Sequence, residues 1–134
     1  VEGWESRLTA AVERARTSAY RLGEFDCLRF ACLAVAAVTG RDPWPEFSGY
    51  GTPADKRALL TRRGGTFQKA GDGFFGEARR IPVPFARRGD VAVYIDLEQR
   101  ECIGPVVDHR MAYMSSAGLV FLPLANCVCA WRVG

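Results

Sequence analysis

The sequence predicts an α+β domain in which N-terminal helices, one of them buried and central, pack on a C-terminal antiparallel sheet. Apolar residues recur at helical intervals up to about residue 63. Short β-prone runs separated by turn residues fill the chain after Glu77. Between Cys27 and Val38 one segment is apolar on almost every side, which is the pattern of a helix running through a core.

Each element has its own signal. From Trp4 to Tyr20 the residues Trp4, Leu8, Ala11, Val12 and Ala15 fall on one helical face, with Glu5, Arg7, Glu13 and Arg16 between them. Gly23 breaks that period, and Asp26 stands where an N-cap is expected for the central helix, which Gly40 closes. Residues 41–52 are rich in Pro, Gly and aromatics and predict an ordered loop whose Trp44, Phe47 and Tyr50 pack on the body. Thr52, Pro53 and Asp55 read as a cap, a first helical proline and a first-turn acid, opening a helix to Arg63 that Gly64-Gly65 stops. Gly71, Gly73 and Gly76 predict a turn-rich connector rather than a helix. Strands are then expected at Arg80 to Val83, Val91 to Ile95, Cys102 to Val107, Arg110 to Met114, Gly118 to Leu122 and Cys129 to Val133.

The composition narrows the functional classes. At 134 residues, 49% hydrophobic and 25% charged, with three Trp, four Tyr and eight Phe, the chain suits a single domain over 1–134 with an aromatic core. The net charge of +3 comes from 18 basic and 15 acidic residues, and the Arg62-Arg63, Arg79-Arg80 and Arg87-Arg88 pairs are scattered, so no nucleic-acid partner is expected. No run reaches the roughly 18 apolar residues of a membrane span, and no signal peptide is visible at Val1 to Glu5. The odd set Cys27, Cys32, Cys102, Cys127 and Cys129 has no zinc-ligand spacing, so no metal and no disulfide framework is predicted. Cys127 and Cys129, two apart on a strand, are expected on one face. The glycines form no phosphate-binding fingerprint, and no cofactor is expected.

Cys27 is the residue with a chemical signal. At the first turn of the central helix a thiol meets free N–H groups and the positive end of the dipole, which favour thiolate. Asp26 beside it opposes that ionisation unless hydrogen bonds engage its carboxylate elsewhere. Tyr20-Arg21-Leu22-Gly23, then Asp26-Cys27 opening the helix, then Gly89-Asp90 leading Val91 to Tyr94, resemble in order and setting the NlpC-type branch of papain-like cell-wall peptidases. Thr39 to Asp42, the Tyr50 loop and Ala130 to Val133 resemble the small members of that branch found in tailed-phage and prophage tail modules.

That resemblance implies a papain-like NlpC-type fold, Cys27 as nucleophile toward a peptidoglycan stem peptide, and Tyr20 and Asp26 as substrate-binding residues. It also implies a histidine base where the second sheet strand begins. This chain has Cys102-Ile103-Gly104 there, so Cys102 marks a degenerate base position. The one histidine, His109, lies seven residues on, about 23 Å along an extended chain, and is the remaining candidate base, with Asp108 beside it. The resemblance therefore leads to a phage or phage-like tail-tip or tail-assembly protein, made in the host cytoplasm, with an incomplete dyad and a mainly structural role. Its expected partners are other tail-tip or hub proteins, docked through the Trp44 to Tyr50 loop and the strand bearing Trp131. The alternative is an active cysteine endopeptidase or amidase that opens the cell wall for DNA entry, with Cys27 as nucleophile and His109, or a base from a neighbouring subunit, taking its proton.

Overall fold

Asp26 starts the central helix as its sequence context predicts. Its backbone is extended (φ −116°, ψ −171°) and its Oδ1 accepts the Arg29 N–H at 2.9 Å, satisfying one of the helix's orphan donors. In a computed structural model describing residues 2–134, this helix, α2 (Cys27–Thr39), follows α1 (Trp4–Thr17) and precedes α3 (Trp44–Phe47), α4 (Pro53–Arg62) and α5 (Phe67–Phe75). The strands follow: β1 (Arg80–Ile81), β2 (Val91–Ile95), β3 (Glu101–Pro105), β4 (Arg110–Ser115), β5 (Gly118–Pro123) and β6 (Cys127–Trp131). The fold is α+β, with helices packed against antiparallel sheets.

Two sheets form where one was expected. A four-stranded sheet runs in the order β1-β6-β2-β3, and β4-β5 is a separate hairpin joined to it by the single Val106–Met111 bridge. Every pairing is antiparallel. At the junction a Cβ on Gly104 would lie only 1.8 Å from the Ala112 carbonyl oxygen, so β3 and β4 approach to a distance that only glycine permits.

Helix α2 is buried because three surfaces meet on it. Leu28, Ala31, Cys32 and Val35 pack with Val91, Val93, Ile103, Cys129 and Trp131 of the larger sheet. Phe30 packs with Ala112 and Met114 of the hairpin, and Ala34, Ala37 and Val38 pack with Leu8 of α1. Leu8 and Phe30 are wholly excluded from water, each contributing roughly 1.5–3 kcal/mol by burial.

Two local expectations are corrected. Phe67–Phe75 is a helix, not a connector; Thr66 caps it by accepting the Lys69 N–H at 3.1 Å, and Glu101 of β3 accepts the Phe67 and Gln68 N–H groups. Gly71 is in that helix for a packing reason: a Cβ there would sit 2.3 Å from Cζ2 of Trp131. Cys127 and Cys129 face opposite sides of their sheet. Val93 pairs with Cys129 and Tyr94 with Cys127, so Val128 is an extra residue in a β-bulge that reverses the alternation.

The other expected elements form close to their predicted places. Thr52 caps α4 by accepting the Asp55 N–H, Gly40 closes α2 at φ 80°, and the loop after residue 40 is ordered, with α3 as one short turn inside it. Among the described residues no helix is long and apolar enough to cross a membrane.

Candidate functional site

The carboxylate of Asp26 organises everything near Cys27. It is fully buried, and while its Oδ1 caps α2, its Oδ2 accepts the Gly23 N–H at 3.1 Å, the Tyr50 hydroxyl at 2.5 Å and the Lys56 ammonium at 3.4 Å. Gly23 is needed for this closeness: its φ is 77°, and a Cβ there would lie 2.2 Å from the Tyr50 carbonyl oxygen. Burial pushes the Asp26 pKa upward. Lys56, the Tyr50 hydroxyl and the N–H groups of Arg29 and Gly23 outweigh it, so the pKa falls below the ordinary carboxylate value.

Lys56, on the first turns of α4, reaches down over the start of α2. Its Nζ donates to Cys27 Sγ at 3.7 Å as well as to Asp26, and it lies 5.3 Å from the Tyr50 ring centroid and 5.8 Å from that of Phe67. Burial disfavours its charge, but Cys27, Asp26 and Tyr20 act the other way more strongly and raise its pKa. It is a proton donor at neutral pH.

Cys27 itself is 5% exposed and belongs to the main core cluster. Burial raises its thiol pKa to about 11; Lys56 lowers it, and Asp26 and Cys102 raise it. The expectation that the helix start would favour thiolate is therefore corrected. Desolvation outweighs the ammonium, because the sulfur lies among packed side chains rather than at an open helix end.

Tyr20 belongs to this cluster. Burial raises its phenol pKa, and Lys56, Cys27 and Asp26 are the charges that act on it. Cys102 is within electrostatic range of Cys27 and is hydrogen-bonded with Tyr113 of β4, while its thiol also donates to the Arg100 carbonyl at 3.9 Å. Burial raises the Cys102 pKa more than the Tyr113 contact lowers it. The structure thus brings Tyr20, Asp26, Cys27 and Cys102 together.

His109 is placed elsewhere. Its side chain is 86% exposed on the turn between β3 and β4, with Nδ1 3.5 Å from Asp108 Oδ1, whereas the Cys27 side chain is buried in the core. Asp108 is engaged by Arg110 at 2.8 Å, which holds its pKa down at about 2. The turn fixes its own charges and points the imidazole to solvent.

Sequence reasoning missed Lys56, Tyr113 and the role of Tyr50. A compositional signal for the first was present: all but two of the 18 basic residues are arginine, and one of the two lysines sits at the site. The proposed docking surface is corrected too. Trp131 is wholly buried, Phe47 and Tyr50 are nearly so, and Trp44 packs edge-on against Tyr50 with centroids 6.0 Å apart, so this aromatic set is core rather than an exposed patch. Among the described residues no group of three or more His, Cys, Asp or Glu is arranged to hold a metal.

No curated protein matches the chain. Residues 1–133 match the family described as Domain of unknown function (DUF6950). The chain, with its buried Asp26-Cys27 helix start, belongs to that family.

Proposed function

We propose that the protein is a tail-tip or tail-assembly component of a phage or phage-like particle, built on an NlpC-type peptidase scaffold whose catalytic dyad is incomplete. The tail setting rests on the motif resemblance of Tyr20 to Gly23, Asp26-Cys27 and Gly89-Asp90. The scaffold reading is supported by a cysteine at the start of a central helix, with Cys102, the residue that the resemblance aligns with the base, within electrostatic range of it.

The observation that carries the loss of chemistry is the partner of the sulfur. Acyl transfer by a thiol needs a base to take its proton and return it to the leaving amine. At Cys27 the hydrogen-bonding neighbour is the Lys56 ammonium, which has no free lone pair and whose pKa is raised. With a thiol pKa of about 11, roughly one molecule in ten thousand carries thiolate at pH 7. A structural role, bound to neighbouring tail proteins, fits such a site better than peptide cleavage.

Incubation with purified peptidoglycan tests the chemistry: no release of soluble fragments or new amino groups is expected. Release that disappears in Cys27→Ser would establish the hydrolase reading instead. Immunodetection in purified particles and tail assembly intermediates tests the setting, and consistent absence from both overturns it.

A further inference from the structure

Helix α4 is largely exposed: Leu59 and Leu60 anchor it on the core, Arg63 ties its end to the Glu46 carbonyl, and the Lys56 ammonium is its polar link to the site. Of residues 51–65 only Leu59 is buried, with Lys56 and Leu60 partly so. Glycines with left-handed backbone flank it, Gly49 at φ 104° on one side and Gly65 at φ 96° on the other, and a Cβ at either would meet nothing. Glycines at both ends give the backbone the conformational freedom a hinge needs. Between these points the Lys56 ammonium lies among the Asp26 carboxylate, the Tyr50 and Phe67 rings and the Cys27 sulfur. A carboxylate with two aromatic rings is the surrounding an ammonium needs when it leaves water. Here the protein supplies the guest from its own chain.

We propose that Lys56 is a removable plug and α4 its lid. Closed, as seen here, the lysine fills the Asp26, Tyr50 and Phe67 cage and covers the Cys27 sulfur. Open, with α4 turned about its glycine-bearing ends, the cage is vacant for a primary alkylammonium group and the thiol meets solvent. This device uses only the geometry around Lys56, so it stands whether or not the chain belongs to a tail.

Peptide-resolved alkylation of Cys27 with iodoacetamide in Lys56→Ala tests it. Loss of the ammonium by electrostatics alone slows labelling, since Lys56 lowers the thiol pKa. Loss of the plug speeds it, by about tenfold or more. Excess n-butylammonium chloride should then slow labelling of the variant back toward the parent rate, while sodium chloride at equal ionic strength should not. Labelling no faster than the parent's, or equal effects of the two salts, overturns the plug. Hydrogen exchange on the unmodified protein tests the lid independently of how the variant folds. The amides of α4 should exchange well before those of α2, and equal protection overturns the hinge.

Discussion

The ammonium of Lys56 stands 3.7 Å from the sulfur of Cys27 and donates to it. The consequence is that a group that gives protons faces a thiol that would react only after losing one. Because Asp26 holds that ammonium at 3.4 Å, the arrangement is built into the same carboxylate that caps α2.

The thiol should titrate late. Alkylation of Cys27 is expected to be slow at pH 7 and to rise toward an apparent pKa of about 11, measured by peptide-resolved labelling across pH. An ordinary thiol titrates near 9, so between these values the unfolded chain releases a proton that the folded chain retains. The resulting stability, about 2–3 kcal/mol, is present below pH 9 and is lost as pH rises to about 11. Urea denaturation at pH 7 and pH 10.5 checks the sign, and unchanged stability contradicts it.

Asp26→Asn should be among the most destabilising near-isosteric changes in the chain. It leaves the Lys56 ammonium, 15% exposed, without its counter-ion, and removal of one partner from a buried pair costs about 3–5 kcal/mol. The depressed pKa of Asp26 also means that its contribution is present above about pH 4 and fades as pH falls through the folded value. The variant should therefore lose stability at pH 7 and show a flatter acid limb in chemical denaturation.

Gly71→Ala tests helix packing against the buried tryptophan. The added methyl would meet the Trp131 ring at 2.3 Å, and overpacking of this kind costs about 1–3 kcal/mol even though alanine is the better helix former. A rise in Tm would show that α5 and Trp131 separate more readily than their contact implies.

His109→Ala should change little. An imidazole 86% exposed leaves stability within about 0.5 kcal/mol and should leave the alkylation rate of Cys27 as it was. A large fall in that rate would tie His109 to the thiol.

The parts of the fold legible in the sequence are those governed by local chemistry. The caps at Asp26, Thr52 and Gly40 were readable because each is a few residues of side-chain and backbone hydrogen bonding. The central helix was readable because its burial shows in its own composition. Helix α5 was not: Gly71 weakens the local helix signal, and its reason lies 60 residues away in Trp131. The bulge at Val128 likewise depends on pairing with β2. At the site, Cys27, Asp26 and Tyr20 could be nominated by motif, whereas Lys56 and Tyr113 arrive from separate elements by tertiary packing. The thiol's raised pKa was illegible for the same reason, since desolvation depends on everything around the sulfur.

The closeness of β3 to β4 at Gly104 gives the hairpin a built-in gauge. Any homologue bearing a side chain at that position must hold its hairpin farther out or in a shifted register, and with it the tyrosine that meets Cys102. One letter of a relative's sequence thus reports the shape of its sheet junction before any of its atoms are placed.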